Sequence, residues 1–229
     1  MKKIGFIGVY DKIDMILNIA KILTSMRVKV LVVDSTINQK AKYVVPAINP
    51  TISYITSFDE IDVAIGFKNI EEIKKYIGNE KLLYDVILID SDTTESAEEF
   101  ELETSDINYF VTSFDIYSLK RGIEVLNSLN KQMNLTKILF AREILKEDDD
   151  YLNYLSLGTK IDWDEERIYF PIENGDLSVI AENQRVQRIK FKRLSVEYKD
   201  SLGFIVQQIL KQNNDLNIRR VIKMIERGV

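Results

Sequence analysis

The sequence predicts an α/β fold, doubly wound, with a mostly parallel sheet covered by helices on both faces. Two patterns predict it. Short, unbroken, β-branched apolar runs alternate with longer amphipathic ones along the chain, and such alternation marks βαβ units. The apolar runs also lack the in–out pattern of a half-exposed strand, as a sheet buried on both faces requires. With nine glycines, three prolines and no Pro/Gly/Ser-rich linker, residues 1–229 read as a single domain.

The elements follow in order. Ile4 to Ile7 is the first strand, Met15 to Met26 the first helix and Val28 to Val33 the second strand. Ile70 to Ile77 reads as a helix, Val86 to Ile89 and Tyr109 to Thr112 as strands, and Ile116 to Met133 as a helix. Ile138 to Phe140 is a strand, and Arg167 to Phe170 a late one ending at Pro171. Ser201 to Leu210 and the amphipathic segment 215–229 are helices. Two acidic stretches, Glu95 to Asp106 and Glu147 to Asp150, read as solvated helix faces.

Composition narrows the chemistry. A chain of 229 residues buries roughly 70–75% of its unfolded surface and needs no disulfide or metal staple. No apolar run is long enough to span a bilayer and no signal peptide is read, so the expected placement is cytoplasmic. A net charge of −5 disfavours a protein coated in nucleic acid but leaves room for a local basic patch. There is no cysteine and no histidine. That excludes thiol nucleophiles, Ser-His-Asp triads and thiolate or imidazole metal sites. Any metal would be a hard cation on oxygen ligands, magnesium above all.

In open parallel sheets, ligands sit at the carboxyl ends of the strands. The first strand ends Ile7-Gly8 and runs through Val9, Tyr10 and Asp11 to Lys12 and Ile13. The second ends Val32-Val33-Asp34. A third reads Tyr84-Asp85-Val86-Ile87-Leu88-Ile89-Asp90-Ser91-Asp92. In order and spacing these segments resemble the MinD/ParA family of deviant Walker A ATPases, which have a P-loop NTPase fold. Lys12 falls at the Walker lysine and Asp34 at the acidic end of the second strand. Asp90 falls at the Walker B carboxylate. Tyr109-Phe110-Val111-Thr112 with the helix after it, and Asp176-Leu177-Ser178-Val179-Ile180-Ala181 after the late strand, fit as well. The resemblance implies ATP and magnesium as cofactors. It makes Gly8, Val9, Tyr10, Asp11, Lys12, Ile13, Asp34 and Asp90 the nucleotide-binding set, with Asp90 at the metal.

The loop departs from the family motif, Lys-Gly-Gly-x-Gly-Lys-Thr-Thr. It is several residues shorter and has no glycine between Gly8 and Lys12. Asp11 stands where the final glycine belongs, and Ile13 where a hydroxyl would meet magnesium. Asp92 replaces the usual proline after Asp90. Side chains in place of glycine keep backbone amides from closing round a phosphate. A carboxylate beside the helix N-terminus competes with phosphate for an end that offers only about 0.3–1 kcal/mol. The expectation is therefore a pseudo-ATPase with no catalytic residue and no bound cofactor, in which Lys12 pairs with Asp11, Asp34 or Asp90. TadZ/CpaE-type relatives have irregular loops of this kind. A dinucleotide-binding unit would need Gly-x-Gly-x-x-Gly, of which only Gly8 is present. A receiver domain could use Asp34 and Asp90 but leaves residues 1–27 and the C-terminal third unexplained.

Two surfaces are candidates for partners. On a helical wheel Ile218, Val221, Ile222, Ile225 and Val229 share one face of the last helix, and Arg219, Arg220, Lys223 and Arg227 the other. Such a helix suits either the inner face of a membrane or packing on the body. Arg185, Arg188, Lys190, Lys192 and Arg193 alternate with apolar residues. As a strand they would present a basic row to DNA phosphates or an acidic partner, or guard a sheet edge. The expected function is a non-enzymatic localisation or assembly factor, homodimeric or bound to a protein partner, for secretion, pilus, conjugation or partition machinery. The alternatives are a weak ATPase using Lys12 and Asp90, and a DNA or membrane tether.

Overall fold

The computed structural model describes residues 1–46, 52–143, 146–211 and 215–228. One eight-stranded sheet organises them, in the order β3-β4-β2-β5-β1-β6-β7-β8. The strands are β1 Lys2–Ile7, β2 Val30–Asp34, β3 Tyr54–Phe58, β4 Ile61–Ile65, β5 Val86–Ser91, β6 Ile107–Ser113, β7 Met133–Ala141 and β8 Ile161–Pro171. All neighbours pair parallel except β3 with β4. The fold is thus the doubly wound, mostly parallel sheet that the alternating pattern predicts.

Helices cover both faces. On one lie α1 Ile13–Ser25, α7 Asn174–Val186, α8 Val196–Leu210 and α9 Asp215–Arg227; the short α2, Ala41–Val44, joins the same core. On the other lie α3 Ile70–Ile77, α4 Thr94–Glu99, α5 Ile116–Leu129 and α6 Lys146–Leu155. Adjacent residues of the central strands feed opposite cores, Phe6 to the α1 side and Ile7 to the α5 side, both fully buried. Burying a side chain of this kind contributes about 1.5–3 kcal/mol, which is why these strands carry no polar alternation. Since β1 is hydrogen-bonded to β5 on one side and β6 on the other, its carboxyl end faces the crevice where strand order reverses.

Several boundaries differ from the sequence reading. The β3–β4 hairpin was not expected. Its tight turn places Asp59 and Glu60 at φ 48° and 71°, a conformation usually marked by Asn-Gly or Asp-Gly, and here the residue pair gives no such signal. The helix expected to reach Met133 stops at Leu129, because Asn130 adopts the left-handed conformation, and Met133 opens β7. Residues 185–193 do not form a strand. Arg185 lies in the last turn of α7, Gln187 ends that helix in the left-handed region, and Arg188 to Arg193 follow without strand structure. The alternation is genuine nonetheless: Ile189 and Phe191 are buried and their basic neighbours exposed. A side chain–backbone bond carries this segment, from the Ile189 amide to Asp59 Oδ2 (3.0 Å).

The apolar stripe of α9 is covered. Ile218, Val221, Ile222 and Ile225 are buried in the core formed with α8 and α1; Val229 lies outside the described residues. Ile218 and Ile222 pack beside Gly203 of α8. In this arrangement those residues are not available to lipid, and the basic side chains of α9 remain on its exposed side. No helix among the described residues is long and apolar enough to cross a membrane.

Candidate functional site

The chain passes from β1 to α1 through residues 8–12. Gly8 has φ 139°, and a Cβ there would lie 2.1 Å from the Val111 carbonyl oxygen of β6. Close backbone packing therefore already requires this glycine. Its N–H donates to the Ser91 carbonyl of β5 (3.0 Å). Val9 is half-buried on the α5 side. Tyr10 is half-buried too, its ring centroid 4.8 Å from that of Phe140. Burial raises the Tyr10 pKa, and Asp11 adds to the effect. Asp11 is exposed and pairs with Lys40. Ile13 points into the core at 1% exposure.

Lys12 does not reach solvent. Its ammonium lies 2.6 Å from Asp90 Oδ1 and donates to the Gly8 carbonyl at 2.6 Å. Of the three carboxylates expected to take Lys12, Asp90 does so. Asp90 is itself buried; burial pushes its pKa up to about 7, against the pull of Lys12 and with the help of Asp34. Asp34 is committed to the backbone. Oδ1 accepts from the Thr36 amide (3.0 Å) and hydroxyl (2.6 Å), and Oδ2 from the Ala41 amide (2.8 Å). These bonds pin the β2–α2 connection. Asp92 accepts from the Ile37 amide (3.0 Å), and burial raises its pKa.

These residues do not fit a magnesium triphosphate. The one cation in the turn is consumed by a buried carboxylate and a carbonyl. Asp11, Asp14, Asp34, Asp90 and Asp92 all lie at this edge of the sheet. A phosphate charge 4 Å from one unpaired carboxylate would be repelled by about 4 kcal/mol at an effective dielectric of 20, more than a helix N-terminus returns. No group of three or more acidic residues able to hold a metal ion occurs among the described residues.

Comparison with known structures gives the architecture a context. The chain superposes on a ParA family ATPase from Chlorobium tepidum with a TM-score of 0.60 at 15% identity, covering 91% of this chain and 97% of that one. The fold is that of the MinD/ParA ATPases. A chain of the MinC:MinD cell division protein complex of Aquifex aeolicus gives 0.59 at 14% identity, over 93% of this chain and 97% of that one. A variant of Cyanothece McdA in complex with ATP gives 0.56 at 12% identity, over 92% and 96%. No family model matches the sequence, and no curated protein matches it.

Beside the turn lies a cleft of about 260 Å³ between α1, the β7 end and α7–α8. Tyr10, Phe140 and Tyr198 supply its aromatic surface. Asp14, largely buried, accepts from Gln184 Nε2 with both oxygens (3.0 and 2.9 Å). Burial raises its pKa to about 6, with the Gln184 bond opposing. Gln184, Phe140 and Tyr198 carry no local sequence signal for this role; only the fold brings them to Asp14. Elsewhere, Arg188, Lys190, Lys192 and Arg227 line a second cleft together with Lys21, Asp59, Glu60 and Glu226, and Lys21 pairs with Asp59 and Glu60. Lys190 and Arg193 pair with Glu182.

Proposed function

We propose that this chain is a degenerate MinD/ParA-like scaffold, a non-enzymatic localisation or assembly factor for a larger machinery. One observation supports the reading above others: Lys12, at the position of the phosphate-binding lysine, is buried and satisfied by Asp90 and Gly8. The solved structures with this fold include cell division and ATP-bound proteins, so a positioning role is in keeping with the architecture. The scaffold would work without ATP or magnesium, in the cytoplasm or peripherally at the membrane, as a homodimer or against a protein partner. Four large apolar side chains support a contact at the carboxyl edge. Ile37, Tyr43, Ile116 and Tyr117 are all more than half exposed there, and such exposure concentrates at interaction sites. Sedimentation tests this: Tyr117→Asp is expected to weaken self-association or partner capture, and unchanged behaviour in both counts against that edge.

One observation favours a tether as the second reading. Arg188 and Lys192 meet the sequence-distant Arg227 at one cleft, which Asp59, Glu60 and Glu226 also line. If they contact nucleic acid, a gel shift will weaken steeply with salt and with charge removal at Arg188 and Lys192. A shift indifferent to both disposes of that reading.

A further inference from the structure

The cleft beside the closed turn combines three properties. It is small: about 260 Å³ is room for about nine water molecules at roughly 30 Å³ each, the size of a small amine or a single side chain. It has an aromatic wall, in which the Tyr10 and Phe140 rings lie 4.8 Å apart, with Tyr198 behind. It also holds a carboxylate whose hydrogen bonds come from a neutral amide. Among the described residues Asp14 accepts from Gln184, whereas Lys40, which also lines the cleft, pairs with Asp11, and Asp176 is satisfied by the Ser195 amide and hydroxyl (2.6 and 2.7 Å). A carboxylate taken out of water without a cation of its own is costly, and an aromatic surface next to it attracts positive charge through the ring quadrupoles.

We propose that this cleft binds an organic cation, an ammonium or guanidinium on a short apolar stem, with Asp14 as its counter-ion and Tyr10 and Phe140 as its wall. The preference is the reverse of a nucleotide site's: the charge that disfavours a triphosphate at this edge favours a cation here. Burial keeps the pKa of Asp14 raised although the charge of Lys40, whose ammonium pairs with Asp11, pulls it down. The same chemistry has two sources, a free small amine or a lysine or arginine side chain of a bound protein.

Titration calorimetry of the full chain at pH 7.5 tests the site and separates the sources. The probes are benzylamine and agmatine, a short arginine-containing peptide, and benzoate as the anionic control. At least one cationic probe is expected to bind saturably, and benzoate not to bind. Binding should weaken at least tenfold in Asp14→Asn, whose amide oxygen can still accept from Gln184. Tyr10→Leu, a second variant at a half-buried position, should weaken it several-fold. Small amines that bind point to a free ligand; binding of the peptide alone points to a partner's side chain. Lowering the pH to 5 protonates Asp14 and should weaken binding about tenfold. Asp11 and Tyr10 of the turn, Lys40 before α2, Asp176 and Gln184 of α7 and Tyr198 of α8 face it throughout that range. No saturable binding of any cationic probe, equal binding of benzoate, or full affinity in Asp14→Asn would each overturn the proposal. The result is independent of the closed turn, which an ATP titration reads separately.

Discussion

Two buried lysine–aspartate pairs occupy different parts of this sheet, and they share more than the sequence suggests. Lys12 meets Asp90 at the carboxyl edge of the centre (2.6 Å). Lys137 of β7 meets Asp149 of α6 (3.2 Å), with Asn153 as a further partner (2.5 Å) and the Trp163 ring 5.1 Å away. Both lysines are almost fully buried. Arg167 of β8 also pairs with Asp149 (2.5 Å), so that carboxylate keeps a cation if Lys137 is lost. Asp90 has no second cation among the ion pairs of the described residues. A lysine at a motif position and a lysine with no motif around it thus do the same structural work. The fold treats Lys12 as a strut between turn and strand, and the motif position alone does not make it a ligand.

That comparison can be broken most directly by deleting each lysine. Lys12→Met leaves Asp90 buried and unpaired and is expected to cost about 3–5 kcal/mol in urea unfolding. Lys137→Met should cost less, about 2–3 kcal/mol, because Arg167 remains. The double variant Lys12→Met with Asp90→Leu should recover most of the loss, since replacing a buried pair by apolar groups is often close to neutral. A Lys12→Met protein as stable as the parent would mean that the pair is not structural.

Gly8→Ala sharpens the contrast between packing and phosphate binding. With φ 139° and the Val111 carbonyl 2.1 Å from the added methyl, a loss of about 2–3 kcal/mol is expected in the ligand-free protein. A glycine kept only for a ligand would give no such loss.

Asp14→Asn is expected to stabilise the fold at pH 7.5 by on the order of 2 kcal/mol. The sign follows from the raised folded-state pKa of about 6 against 3.8. The folded state holds the proton more tightly, so the contribution of Asp14 is fully present below about pH 4 and is lost as pH rises through 6. The gain from the neutral amide should therefore shrink to nothing below pH 4 in thermal melts. The smallest effect is expected from Lys40→Ala. Its pair with Asp11 is exposed and worth under about 1 kcal/mol.

The central strands were legible because burial on both faces demands continuous β-branched runs, as at Val86 to Ile89. Lys12, Asp34 and Asp90 could be placed at strand ends for the same reason. The β3–β4 hairpin could not be read, since Asp59-Glu60 adopts a glycine-type turn without glycine. The acidic stretch from Glu147 to Asp150 read as a solvated face, yet Asp149 is buried on Lys137 and Arg167. Its partners lie on two strands, and no local pattern announces them. Lys12 shows the deeper limit: sequence put it at a strand end, but only the fold shows that its ammonium turns back onto Gly8 and Asp90.

Titration calorimetry of ATP with magnesium into the full chain tests the closed turn most directly. The expected result is no saturable heat up to millimolar nucleotide, with Lys12→Met and the parent indistinguishable wherever both are folded. Saturable binding tighter than about 1 mM, abolished by Lys12→Met in a folded protein, would contradict it.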